Sequence, residues 1–262
     1  MTTSDGVLRL RGAVLGGAVP LVCVPVVAPD PDAAARATRA IPAGMADVVE
    51  LRLDHLVGAA GDPGVVHAAV GAVRAALPDG VPLLATFRSA REGGAQPADD
   101  AAYATVVDAV AGGPHGAPVA DAVDVELAAP GAAALVARAH AAGLAVVVSH
   151  HDFDATPAAG EVVAVLRRQR DLGADVCKVA VMPHDADDVL ALLTATRTFA
   201  RDADRPVVTV AMGRLGLVTR LAGGVFGSAM TFASVGTASA PGQVDAAVLR
   251  EVLPLLHAPD GA

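Results

Sequence analysis

Of the 19 lysine and arginine residues in this chain, all but Lys178 are arginine. In a composition so biased toward arginine, a lysine survives where a guanidinium cannot substitute. Arginine keeps its proton in proteins, whereas lysine can become a neutral amine nucleophile. Lys178 stands inside the apolar run DVCKVAVMP, between Cys177 and Val179, so a solvated surface role fits poorly. Two readings fit it: one cation of a buried structural ion pair, or a nucleophile that forms an imine with a ketone. The nucleophile needs a pKa well below the free value of about 10.4, and desolvation with neighbouring positive charge acts in that direction.

A second reactive group is close in sequence. The run AVVVSHHDF carries four apolar residues straight into Ser149, His150, His151 and Asp152. Neighbouring residues of a strand point to opposite faces, so one histidine of the pair faces whatever site the strand end builds. Imidazole titrates nearest neutrality and can both take and return a proton. Further charges interrupt other apolar runs. Glu50, Arg52 and Asp54 alternate in DVVELRLD, either as the wet face of a surface strand or as a buried group that must pair. Arg88 and Glu92 follow in TFRSAREGG, where the arginine reads equally as a structural ion pair or a ligand clamp. Asp124 and Glu126 alternate in VDVEL, as support for nearby cations or as structure alone. Late in the chain, Arg220 in GRLGLVTR offers a bidentate fork for a carboxylate. The small-residue stretch with Ser239, Pro241, Gly242 and Gln243 reads as an ordinary turn or as a lid.

The elements that must position these groups follow a rhythm. Apolar runs at 20–27, 47–54, 82–88, 122–127, 145–152, 174–181, 206–212 and 228–235 predict eight strands. The Ala-rich stretches at 31–40, 63–77, 99–111, 131–142, 158–171, 186–200, 215–222 and 244–257 predict a helix after each, with Gly143 and Gly173 as stops. Continuous apolar runs suit parallel strands covered on both faces. Eight βα units close most naturally into a (β/α)8 barrel of the TIM type, one catalytic domain over residues 1–262, whose reactive groups sit at the carboxyl ends of the strands. An open doubly wound sheet is the competing fold, but no glycine-rich dinucleotide fingerprint follows the first strand. The opening VLRLRGAVLGG alternates like a hairpin that caps one end of the barrel.

Composition narrows the partners. A net charge of -9 argues against a nucleic-acid surface, which needs clustered cations. The two cysteines, Cys23 and Cys177, form no disulfide framework and no zinc spacing, which fits a reducing cytosol. The apolar stretch Ala13–Ala28 behind Arg9 and Arg11 imitates a secretory signal. Pro20 and Pro25 interrupt it, and it falls short of the roughly 20 apolar residues of a membrane span, so a buried first strand is expected.

Taken in order, ELRLDH, TFRSAREGG, SHHDF followed by TP, VCKVAVMP, MGRLGLVTR, FGSAMTFAS and ASAPGQ resemble the type I 3-dehydroquinate dehydratases of the shikimate pathway. The resemblance runs from about residue 20 to the carboxyl end. It implies a barrel lyase of the cytoplasm without metal or cofactor, usually a homodimer, that converts 3-dehydroquinate to 3-dehydroshikimate and water by syn elimination. By position it implies that Lys178 forms the imine, that His151 is the acid/base group and that Glu92 supports the histidine or a closed loop. It assigns Glu50, Arg52, Arg88, Arg220, Ser239 and Gln243 to substrate binding. The chain departs from the common pattern at His150, where many members have Asn, at Cys177, where many have Pro, and at Pro25, where a serine is frequent. Two other readings stay open: a class I aldolase-like barrel acting on sugar phosphates, and a catalytically silent protein that binds shikimate metabolites. A phosphate nest near the last strands would mark the first, whereas retention of both Lys178 and His151 speaks against the second.

Overall fold

The computed structural model of the chain describes residues 6–112, 116, 119–236, 240 and 242–258. It opens with an antiparallel hairpin, β1 (Leu8–Leu10) and β2 (Ala13–Leu15). Eight parallel strands follow: β3 (Leu21–Val26), β4 (Val48–Arg52), β5 (Leu83–Thr86), β6 (Ala122–Glu126), β7 (Ala145–Asp152), β8 (Val176–Val181), β9 (Val207–Ala211) and β10 (Met230–Ser234). The helices between and after them are α1 (Pro31–Arg39), α2 (Pro63–Ala76), α3 (Asp100–Val110), α4 (Ala132–Ala141), α5 (Ala159–Asp171), α6 (Ala186–Ala200), α7 (Leu217–Ala222) and α8 (Ala246–His257). A two-residue strand, β11 (Val244–Asp245), pairs in parallel with the end of β10.

Each strand from β3 to β9 is hydrogen-bonded to the next in chain order, and β10 returns to pair with β3. The sheet closes through the parallel bridge between Val207 and Ser228, where the Ala229 N–H donates to the Val207 carbonyl at 2.7 Å. This is the expected barrel. The open doubly wound sheet is excluded by that closure and by the strand order.

Strand alternation divides the apolar residues into two populations. Leu51, Ala85, Val125, Val148, Cys177 and Val179 face outward and pack with the helices in one buried cluster. Val48, Leu84, Val147, Val176, Val208 and Met230 face inward and form a second cluster with Leu8, Leu10 and Leu15 of the hairpin. The hairpin therefore plugs the amino-terminal end of the barrel, as its alternation predicts, and Arg11 in its turn is tied to Asp121 at 2.6 Å. The stretch Ala13–Ala28 supplies β2 and the buried β3, and among the described residues no helix is long and apolar enough to cross a membrane.

Five helices start on an aspartate cap, whose carboxylate satisfies an N–H of the first turn: Asp30, Asp62, Asp99, Asp185 and Asp245. These caps move the predicted boundaries. The last helix starts at Ala246 rather than residue 244, because Asp245 accepts from the Ala247 N–H. The third strand stops at Thr86, short of the predicted residue 88, so Arg88 lies on the turn that leads into a single 3-10 turn, Ala90–Glu92.

Candidate active site

The inward face of β8 turns Lys178 into the barrel interior, buried to 5% exposure. The alternation that points Cys177 and Val179 outward points Lys178 into a cavity of about 120 Å³. That cavity is lined by Glu50, Arg52, Arg88, Glu92, His151, Arg220 and Gln243 as well as Lys178, so eight of the nine predicted site residues converge on it. Ser239, the ninth, lies outside the described residues.

The charges around Lys178 differ from the sequence expectation, in which positive neighbours favour the neutral amine. Instead, Nζ lies 3.4 Å from Asp124 Oδ2 and 3.7 Å from Glu50 Oε1, with the Phe232 ring centroid 4.6 Å away. Apolar sequence neighbours could not reveal this, because both carboxylates arrive from other strands on the same inward face. Glu50 is held by the Thr86 hydroxyl, which donates to Oε1 at 2.8 Å.

Arg88 organises the adjoining wall, sharing Asp124 with Lys178. Its guanidinium lies 2.8 Å from Asp124 Oδ1, 3.0 Å from Glu126 Oε1 and 3.4 Å from Glu92 Oε2, and it donates to the Ser149 hydroxyl at 3.0 Å. The Ser149 hydroxyl in turn donates to Asp124 at 2.6 Å. Burial alone would raise the Asp124 carboxyl, but the charges of Arg88 and Lys178, with the Ser149 hydrogen bond, hold it well below the usual carboxylate range. Asp124 and Glu126 thus support the cations, one of the two roles open for them. Burial pushes Glu126 up against the opposing charge of Arg88.

The adjacent histidines separate as a strand requires. His151 shares register with Ala180 and faces the cavity, whereas His150 shares register with the outward Val179. Glu92 Oε2 lies 2.9 Å from Nδ1 of His151 and accepts its backbone N–H at 3.1 Å. Burial raises the Glu92 carboxyl, but the histidine contacts and the Arg88 charge outweigh this and hold it at about 2. An ionised carboxylate only accepts, so Nδ1 carries the proton and Nε2 keeps the lone pair. Burial, and then the Arg88 charge, lower the His151 imidazole to about 3 against the stabilising contact of Glu92. At neutral pH it is a neutral base of fixed tautomer.

The loop that carries Glu92 is shaped by two glycines and one aspartate. Gly93 adopts φ +82°, and a β-carbon there would meet the Phe153 ring at 2.4 Å; one on Gly94 would fall 1.8 Å from the Arg88 carbonyl. Asp54, fully buried, takes the Arg52 fork through two 2.8 Å bonds and also accepts the Ala95 N–H at 3.0 Å. Arg52 is therefore paired with Asp54, its neighbour two residues on, and the surface-strand reading of this run is corrected: Glu50 and Asp54 are buried.

Arg220, on the short α7, is 2% exposed and lines the cavity, and its Nη1 donates to the Phe232 carbonyl at 3.5 Å. Burial lowers its guanidinium to about 10, a site at which an anion is strongly favoured. Of the departures from the common pattern, Cys177 is on the outer face of β8, its thiol pushed up to about 12 by burial. Pro25 sits in β3 in register with Glu50. Sequence reasoning passed over Thr86, Phe153, Met212 and Phe232, which also line the cavity. A signal existed for the aromatics: the chain has five phenylalanines, so one standing just after the histidine pair carries weight.

Among the described residues, no group of three or more His, Cys, Asp or Glu side chains is arranged to hold a metal ion. The arrangement can attack a carbonyl with Lys178, move a proton with His151 and hold an anion with Arg220.

The family model described as type I 3-dehydroquinase matches residues 22–260. A 3-dehydroquinate dehydratase of Listeria monocytogenes is 44% identical over 250 residues, covering 95% of this chain and 97% of the relative. One from Klebsiella pneumoniae is 44% identical over 240 residues, covering 90% and 93%. Among solved structures, the 3-dehydroquinate dehydratase of Geobacillus kaustophilus superposes with a TM-score of 0.90 at 36% identity, covering 99% of this chain and 100% of the other. The type I enzyme of Clostridium difficile, solved with covalently modified comenic acid, gives 0.89 at 34% identity over 97% and 98%.

Proposed function

The chain belongs to the type I 3-dehydroquinase family, and on that premise we propose that it dehydrates 3-dehydroquinate to 3-dehydroshikimate and water through an imine on Lys178. The observation that carries this reading is the shared cavity: the chain's one lysine lines it with a histidine whose tautomer is fixed by Glu92.

In the proposed sequence, Lys178 first loses its proton. Asp124 is held strongly ionised by the Arg88 charge and the Ser149 hydroxyl, which makes it a poor acceptor and leaves the proton to Glu50, whose Oε1 is 3.7 Å from Nζ. The amine attacks the ring ketone, Glu50 gives that proton to the carbinolamine oxygen so that it leaves as water, and the resulting iminium draws electrons from the adjacent carbon. His151 Nε2 removes a proton from that carbon, giving an enamine. The enamine expels the β-hydroxyl as water, using the proton now on His151. Because one imidazole takes and returns the proton, both events occur on one face of the ring, a syn elimination. Hydrolysis of the imine releases the enone and restores Lys178. Glu92 stabilises the imidazolium while it exists, Arg220 holds the substrate carboxylate, and Glu50, Arg52 and Arg88 orient hydroxyls and developing charge. Gln243 and Ser239 close over the ring.

The chemistry closes on protein groups alone, with no cofactor or metal in any step. We read residues 1–262 as one catalytic domain that works as a cytoplasmic homodimer; two buried free thiols, Cys23 and Cys177, suit a reducing compartment. Light scattering on the purified protein tests the dimer. The test of function is borohydride added during turnover of 3-dehydroquinate: a reduced adduct mapping to Lys178, with the ultraviolet rise of the conjugated enone when borohydride is omitted, is expected. Turnover without an adduct would end the imine reading.

A further inference from the structure

Glu92 is bound asymmetrically. Its Oε2 takes the Nδ1–H and backbone N–H of His151 and lies near Arg88, whereas Oε1 is buried and, among the described residues, accepts no hydrogen bond. A buried carboxylate oxygen without a donor is costly, and native proteins rarely leave one so. Facing it is His150, whose Nδ1 stands 3.8 Å from Oε1, less than about 1 Å beyond hydrogen-bond range. The His150 side chain is 30% exposed and points away from the reacting cavity, so it has room to approach without entering the substrate's space.

We propose that His150 is a positioning residue for the elimination step, closing its Nδ1–H onto Glu92 Oε1 during turnover and so keeping Oε2 on His151. With one oxygen held, the carboxylate can rock about its side-chain torsions and loosen its grip on Nδ1. With both held, the plane of the carboxylate is set, and with it the tautomer that leaves Nε2 as the base. His150 acts through Glu92 and touches no reacting atom. This inference rests on the proposed dehydration, with His151 as its base.

The test compares His150→Leu, which removes the donor, with His150→Asn, whose amide N–H can still reach Oε1, and places both beside Glu92→Gln and the double variant Glu92→Gln/His150→Leu. Expected for His150→Leu is a fall in kcat of about tenfold, the scale of one hydrogen bond, with KM within about twofold. Because imine formation precedes the affected step, borohydride should trap more adduct on Lys178 in this variant than in the wild type. His150→Asn should retain kcat within about threefold, and His150→Leu should cost nothing further once Glu92 is Gln, as coupled residues require. Unchanged kcat in His150→Leu overturns the proposal while leaving the Glu92 pairing intact, as does an equal loss in both Glu92 backgrounds or in His150→Asn. Full activity in Glu92→Gln shows that the charge of Glu92 on His151 does not matter to turnover and overturns this inference with that role. Should His150→Leu fail to fold, His150→Ala gives the same comparison.

Discussion

Replacing Glu92 by Gln keeps the shape of the side chain and removes one charge, which isolates what that charge does for His151. In the native site, Oε2 accepts both the Nδ1–H and the backbone N–H of His151, at 2.9 and 3.1 Å. The glutamine oxygen can occupy the same place, so the backbone contact survives and the loop from Ser89 to Ala95 stays anchored by Asp54. What is lost is the negative charge facing the imidazolium that forms when His151 takes the substrate proton. A hydrogen bond to a charged group contributes about 1.5–3 kcal/mol. At 1.36 kcal/mol per tenfold in rate, its loss lowers kcat by about tenfold to 200-fold. Imine formation does not use His151 as a base in the proposed sequence, so KM should change little and the borohydride adduct on Lys178 should persist. The assay is steady-state enone formation beside adduct mass spectrometry on the same preparation. A kcat within about twofold of the wild type would refute the reasoning, since a neutral amide would then serve as well as a carboxylate.

Lys178→Ala should abolish both adduct and turnover, whereas His151→Ala should still form the adduct and lose elimination by at least about two orders of magnitude, the usual scale for an acid/base group. Near-normal turnover in the histidine variant would end the acid/base reading of His151. Arg220→Lys keeps a positive charge but loses the planar fork, so KM for 3-dehydroquinate should rise about tenfold with kcat less affected; an unchanged KM would remove Arg220 from the carboxylate site. The pH dependence of stability has a definite sign. His151 titrates at about 3 in the folded chain against an ordinary 6.5, so the unfolded chain binds the extra proton and stability falls as pH drops from 6.5 toward 3. Glu92, lowered from 4.5 to about 2, contributes stability that is complete above 4.5 and lost as pH falls through 2. Thermal melts across this range should show both declines, and His151→Gln should flatten the upper one; an identical slope in that variant would contradict the assignment.

Much of this arrangement is legible in the amino-acid sequence. A lysine alone among arginines, inside a buried strand, identifies itself, because only an amine can do what a guanidinium cannot. Period-two alternation shows which side chains share a face, and eight apolar runs separated by helices leave few closed solutions. Those two facts select Lys178, place Glu50 with Arg52, and require one of His150 and His151 to face inward. They do not give distances across the barrel mouth. Glu92 meets a histidine 59 residues away only because Gly93 and Gly94 fold its loop back over the strand ends, and Asp54 pins that loop from the end of β4. Likewise, the carboxylates beside Lys178 come from β4 and β6, and the groups around the Arg88 guanidinium come from its own loop, β6 and β7. Periodicity is a property of one segment, whereas register, closure and loop path are properties of the closed sheet. The sequence therefore determined which groups can react, and the tertiary structure decided which of them are paired, buried and held at bonding distance.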